Sequence, residues 1–63
     1  MRVDRIKFNT ELLRRDMTQK QVCELSGLSR PTVNAVANGR SCSKTTAEKI
    51  AAALQIDLSE ITE

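Results

Sequence analysis

The sequence predicts a compact all-α domain of four to five helices, and three features of its composition support that class. Its 63 residues are enough for one small domain of a size that folds alone with a modest margin of stability. Only one residue is aromatic, whereas sheets favour aromatic and β-branched side chains. One proline and two glycines leave few points at which a helix must break. Residues 1–63 are therefore expected to form a single domain.

The middle of the chain, TQKQVCELSGLSRPTVNAVANGR at 18–40, predicts two short helices joined by a tight turn. Thr18 is a good N-cap for the first of them, and Gln21 three residues later completes the pattern of a capping box. Gly27 is suited to end that helix, because glycine accepts the left-handed backbone common at helix C-termini. Ser29 is a good N-cap for the second helix.

Apolar residues in this segment recur at helical spacing, about 100° apart per residue. On the first helix, Val22, Cys23 and Leu25 fall on one side together with the polar Ser26. On the second helix the inward stripe consists of Val33, Val36 and Ala37, and Asn38-Gly39 end it. Pro31 lies in the first turn, where its missing N–H costs no hydrogen bond.

A further helix is predicted on each side of this pair. The earlier one covers about 5–15, has Asp4 as its N-cap, and contains the apolar residues Ile6, Phe8, Leu12 and Leu13. Asn9 and Thr10 lower its helix propensity. The later one begins after Ser43, has the apolar stripe Ala47, Ile50, Ala51 and Leu54, and ends at Gln55. Asp57 can cap one short turn over 58–61.

The residues at 18–40 and their spacing resemble the helix-turn-helix of the Cro and phage-repressor family, also called the XRE family. The resemblance is carried by Gln19, Cys23, Gly27, Val33, Val36 and Asn38-Gly39, and it extends over about 6–61. Cys23 stands where an alanine is usual, and its thiol is small enough for a close helix crossing. The resemblance implies a lambda-repressor-like fold in which the helix at about 30–38 enters the major groove of DNA.

Charge is distributed in agreement with that resemblance. Residues 14–44 contain six cationic and two anionic side chains, whereas 45–63 contain one cationic and four anionic ones. An ordinary solvated surface would also tolerate such a distribution. Because the basic excess coincides with the helix-turn-helix, an electrostatic footprint for DNA is the better interpretation.

The predicted helix at about 30–38 is the recognition helix, the one that would read the bases. The candidate base-reading residues are those on this helix that do not belong to the inward stripe, namely Arg30, Pro31, Thr32, Asn34 and Ala35. Arg30 can donate two hydrogen bonds to guanine, Asn34 can pair with adenine, and Ala35 can touch a thymine methyl group. Arg30 can equally serve as a phosphate clamp, because many protein–DNA contacts go to phosphate.

The candidate phosphate-binding residues are Gln19, Ser29, Asn38, Arg40, Ser43 and Lys44. The resemblance places Gln19 and Asn38 at phosphate-contacting positions. Gln19 also begins a helix, where unpaired N–H groups favour an anion. Ser29 is the cap of the recognition helix, Arg40 follows the glycine that ends it, and Ser43 and Lys44 begin the next helix.

The sequence therefore predicts a sequence-specific transcriptional regulator of double-stranded DNA, most simply a repressor. It would bind a pseudo-palindromic operator as a homodimer through Ile56, Leu58 and Ile61, unless these residues simply cover the base of the helices. The alternative is an antitoxin-like or other protein-interaction module in which DNA binding is secondary. Phage, plasmid, restriction-control and antitoxin contexts all stay open.

Other functional classes find little support in the composition. Without histidine or a recognisable spacing of nucleophile and base, no enzyme activity is predicted. Two cysteines nineteen apart, Cys23 and Cys42, fit neither a zinc site nor a disulfide framework, so we expect no metal, cofactor or small-molecule ligand. No signal peptide or membrane span is evident, which favours a cytoplasmic protein.

Overall fold

Four α-helices account for most of the computed structural model, which describes all of residues 1–63. They are α1 (Arg5–Arg14), α2 (Gln19–Ser26), α3 (Arg30–Ala37) and α4 (Lys44–Leu54), and a 3₁₀ turn follows at Leu58–Glu60. No strand forms beyond two isolated β-bridges. The predicted all-α class of four to five helices is confirmed, with the fifth element reduced to that single turn.

Each helix begins at the side chain that the sequence marks as its cap. The Asp4 carboxylate accepts the N–H groups of Ile6 and Lys7 at the start of α1. Thr18 and Gln21 make both hydrogen bonds of the capping box at the start of α2. The hydroxyls of Ser29 and Ser43 cap α3 and α4. The predicted N-termini are therefore confirmed.

Each helix is followed within two residues by one that has a positive φ, and two of these four residues, Asp16 and Gln55, are not glycine. Gly27 ends α2 in the left-handed conformation, with a φ of 76°. Gln55 takes the same role after α4 with a φ of 58°, although it is not glycine. Its N–H donates to the last carbonyls of α4, and this bonding offsets the cost of the left-handed backbone.

The core is one cluster of twelve buried apolar side chains. It contains two of the four apolar residues predicted for α1 and all those predicted for the inward stripes of α3 and α4. Its members are Val3, Phe8, Leu12, Val22, Val33, Val36, Ala37, Ala47, Ile50, Ala51, Leu54 and Ile61. Cys23 packs against this cluster but is only half-buried.

Three apolar residues that were expected to face inward do not. Ile6, Leu13 and Leu25 are 68%, 82% and 64% exposed. At about 100° per residue, Ile6 and Leu13 lie some 140–160° around α1 from Phe8, on the opposite face. Leu25 lies about 60° from Val22, on the side away from half-buried Cys23. The wide apolar stripes predicted for α1 and α2 are therefore wrong, and narrower ones form the core.

The two ends of the chain complete the core together. Val3 bridges to Thr62, and the N–H of Asp4 donates to the carbonyl of Ile61 at 2.7 Å. Ile61 is 0% exposed, so its predicted place in a dimer patch is wrong. The 3₁₀ turn folds the chain back so that this side chain fills the core, while Ile56 and Leu58 stay half-buried against it.

Glu11 is the one buried charged residue, and two arginines neutralise it. Arg14 pairs with one carboxylate oxygen at 3.1 Å, and Arg15 pairs with the other. The Nε of Arg15 also donates to the carbonyl of Leu54 at 3.1 Å. This arrangement joins the C-terminal ends of α1 and α4, and nothing in the apolar periodicity of α1 had indicated it.

The complete burial of Ile61 predicts that this side chain contributes to the stability of the fold. Ile61→Ala should lower the free energy of unfolding by roughly 2–5 kcal/mol, because it removes a fully buried side chain. Ile6→Ala is the matched control and should change that free energy by no more than about 0.5 kcal/mol. Urea denaturation of both variants provides the measurement. Equal effects of the two substitutions would contradict the placement of Ile61 in the core.

Candidate nucleic-acid interface

One face of α3 is committed to the core and the other faces solvent. Val33, Val36 and Ala37 are buried. On the outer side Arg30, Pro31 and Asn34 are exposed, and Thr32 and Ala35 are half-buried. All five candidate base-reading residues therefore lie at the surface, as the helical spacing predicts.

A shallow depression between the start of α2 and the start of α3 brings two groups of candidates together. Gln19 from α2 lines it with Arg30, Pro31 and Asn34 from α3. The side chains of Gln19, Arg30 and Asn34 make no hydrogen bond or ion pair within the chain. Their donors are consequently available to a ligand, and they converge on one place.

A second depression lies on the other flank of α3. Pro31, Thr32 and Ala35 line it from α3, and residues 41–43 with Thr46 line it from the loop and α4. Helix α3 is thus bordered by the N-terminus of α2 on one side and by the N-terminus of α4 on the other.

Several candidate polar side chains already have partners within the chain. Ser29 Oγ accepts the N–H of Thr32 at 3.3 Å, and its oxygen lies 2.8 Å from Thr32 Oγ1. Ser43 Oγ accepts the N–H of Thr46 and donates to Thr46 Oγ1. Asn38 Nδ2 donates to the carbonyl of Asn34 at 3.0 Å. These side chains therefore shape the local backbone, whatever they contact in addition.

The free cationic and N–H groups flank α3 on both sides. Arg40 and Lys44 are exposed, and neither takes part in an ion pair, since both ion pairs of the structure are made by Glu11. The N–H groups of Gln19 and Lys20 in α2, and those of Lys44 and Thr45 in α4, have no acceptor. Both helix N-termini thus present unpaired N–H groups and the positive end of a helix dipole.

Asn9 positions the recognition helix, although the sequence suggested only a poor helix former at this position. Its Nδ2 donates to the carbonyl of Arg5 at 2.7 Å and to that of Ala37, the last residue of α3, at 3.2 Å. The hydrogen bond to Ala37 spans two helices, and so no local pattern could have revealed it.

The carboxyl of Asp4 has a lowered pKa. The hydrogen bond from the N–H of Lys7 lowers the pKa of this carboxyl below its usual value, and desolvation opposes the shift. Because the folded pKa is depressed, the cap stabilises the domain above the unfolded pKa. Its contribution is lost as the pH falls through the folded pKa. The charge of Asp4 is therefore present at neutral pH.

A family model described as Helix-turn-helix matches residues 10–61, so the chain belongs to this helix-turn-helix family, the XRE family of Cro-type DNA-binding domains. Membership makes it a DNA-binding helix-turn-helix protein of the regulator type. A search of curated proteins and a search of solved structures each found no match. None of the helices has the length and apolar character needed to cross a membrane.

The cap at the start of α4 can be tested by its stability contribution. Ser43→Ala should lower the free energy of unfolding by about 1 kcal/mol, because the N–H of Thr46 loses its acceptor. Ser41→Ala is the control, since Ser41 is exposed and its hydroxyl has no partner. Thermal unfolding of both variants measures the difference. A cost at Ser41 equal to that at Ser43 would contradict the capping role.

Proposed function

We propose that residues 1–63 act as one sequence-specific DNA-binding domain of a transcriptional regulator, most simply a repressor, which reads the major groove with α3. The observation that carries this proposal is the depression shared by Gln19, Arg30, Pro31 and Asn34. It combines free side-chain donors of the recognition helix with the N-terminus of α2, in a chain of a DNA-binding family.

Base reading is assigned to the exposed side of α3. Arg30 donates two hydrogen bonds to the O6 and N7 atoms of a guanine, and Asn34 pairs with adenine. Pro31 and Ala35 offer apolar contact to a thymine methyl group, and Thr32 lines the same depression as these two residues. The free guanidinium of Arg30 and the free amide of Asn34 support this assignment.

Phosphate binding is assigned to the borders of α3. Gln19 and the first N–H groups of α2 contact one backbone strand, and Lys44 with the first N–H groups of α4 contacts the other. Arg40 adds a further cation. Ser29, Asn38 and Ser43 contact phosphate through the donors and acceptors that their hydrogen bonds within the chain do not occupy. The exposure of Arg40 and Lys44 and their lack of ion pairs support this part of the proposal.

Salt dependence separates this function from its alternative. The purified domain should bind random duplex DNA with an affinity that falls by about 0.9 log units per tenfold rise in salt for every phosphate contacted. Fluorescence anisotropy over a salt series provides the measurement. An antitoxin-like interaction module would bind no duplex at any salt concentration, and that result would contradict DNA binding as the main function.

Arg30 and Arg40 allow base reading to be separated from phosphate binding, since both are exposed cations at opposite ends of α3. On an operator selected from random DNA, Arg30→Ala should cost about 1–3 kcal/mol of binding free energy and relax the preference at one base pair per half-site. Arg40→Ala should weaken binding to operator and random DNA about equally, with a salt slope lower by roughly one.

The measurement is binding of both variants to the operator, to its single-base variants and to random DNA. Equal weakening of every sequence by Arg30→Ala would make Arg30 a phosphate clamp. The specificity would then reside in Asn34, Thr32 or the shape of the DNA.

The proposed regulator binds a pseudo-palindromic operator as two copies, because a single small domain makes few DNA contacts. Half-sites would lie about 34 Å apart on one face of the duplex. Ile56 and Leu58 are the half-buried apolar residues at the chain end that can contribute to the contact between copies. Light scattering of the complex should give two copies per operator, and a single copy on an operator with two half-sites would contradict this arrangement.

A further inference from the structure

The N-terminal segment runs beside the loop that follows the recognition helix. Arg2 forms a β-bridge with Ser41, and the carbonyl of Met1 accepts the N–H of Cys42 at 2.8 Å. On its other side the segment pairs with the chain end through Val3 and Thr62. The segment is therefore fixed from both sides next to the residues that follow α3.

Arg2 is held against the end of α3 by one of its five donors. Its Nε donates to the carbonyl of Gly39 at 3.1 Å, where the negative end of the helix dipole favours a cation. The N–H groups of its two terminal nitrogens have no partner in the chain. A guanidinium fixed through Nε and free at both Nη atoms is pre-oriented for two parallel hydrogen bonds to an anion.

The side chain of Arg5 packs against Gly39 as well. A Cβ built at Gly39 would be 3.3 Å from Arg5 Cδ, so the arginine stem covers the glycine backbone closely. Gly39 also has a φ of 87°, which favours glycine. The guanidinium of Arg5 makes no hydrogen bond and no ion pair in the structure.

Both arginines share one depression with Asn38, which belongs to the proposed phosphate-binding border of α3. Asp4 and Glu63 line the same depression. The Asp4 carboxylate is engaged by the N–H groups of Ile6 and Lys7. Neither carboxylate pairs with an arginine, because both ion pairs of the chain are made by Glu11.

We propose that Arg2 and Arg5 form a phosphate clamp that extends the DNA-binding surface beyond Asn38 and Arg40. The clamp rests on the proposed DNA-binding function. Its ligand is a phosphodiester group of duplex DNA, which suits two adjacent guanidiniums with free donors. The N-terminal segment thereby contributes to binding although it lies outside the helix-turn-helix.

The salt slope of binding tests the clamp with charge-removing substitutions. Arg2→Gln keeps a donor for the Gly39 carbonyl and removes the charge, and Arg5→Gln removes a cation that has no hydrogen bond within the chain. Each should reduce the salt slope, and the double variant should reduce it by about 0.9, because the two arginines together neutralise one phosphate. Lys49→Gln is the matched control, since Lys49 is exposed on α4 and lines none of the three depressions.

A slope in the Arg2→Gln and Arg5→Gln variants equal to that of Lys49→Gln overturns the clamp. In that case Arg2 serves only to cap α3, and its loss changes the unfolding temperature alone. Should Arg2→Gln fail to fold, Arg5→Gln decides the result by itself. A wild-type domain that binds no duplex overturns the DNA-binding function, and the clamp with it, before any variant is compared.

The position of the clamp is tested with operator duplexes that carry one neutral methylphosphonate. Neutralising the clamped phosphate should weaken binding of the wild-type domain by several-fold at low salt and leave the double variant unaffected. If every neutralised phosphate weakens both proteins alike, the arginines contact no particular phosphate and the clamp is overturned.

Discussion

The burial of Val33 and Val36 is the constraint on which the rest of this structure depends. An eight-residue helix is unstable alone in water, so α3 persists because these two side chains lie fully inside the core. With its inner face committed in this way, α3 turns its opposite face to the surface, where Arg30, Pro31 and Asn34 are exposed. The residues proposed to read DNA are thus displayed by the same packing that holds the helix in place.

The position of α3 is further fixed through backbone carbonyls at its C-terminal end. Asn9 donates to the carbonyl of Ala37 and Arg2 to that of Gly39, from two elements that precede the helix-turn-helix. Carbonyls at a helix end lack intrahelical partners, and donors from other elements satisfy them here. In a domain with a small core, such hydrogen bonds help to orient α3 and require no further burial of apolar side chains.

The charged groups divide in a related way. Glu11 and its two arginines are used inside the fold, where they join α1 to α4. The cations around α3 have no carboxylate partner and stay available for an anionic ligand. Both ion pairs of the structure therefore lie at the one carboxylate that is buried, Glu11 of α1.

The sequence by itself determined the four helices, their caps and most of the core, because these depend on residues three or four positions apart. Thr18 with Gln21, Ser43 with Thr46, and the stripe from Ala47 to Leu54 are all local in this sense. The sequence also identified the outward residues of α3, because the helical spacing of the inward residues determines which residues lie on the opposite side.

The tertiary structure alone decided which apolar residues are exposed and how the chain ends are used. Ile6 and Leu13 are as apolar as core residues, but they lie on the face of α1 opposite Phe8, and the packing of α1 against the rest of the domain decides which of the two faces is buried. Val3, Ile61 and Arg2 gain their roles from contacts between residues far apart along the chain, such as Asp4 with Ile61 and Arg2 with Gly39. Helical periodicity contains no information about such pairs, because they depend on how complete elements pack together.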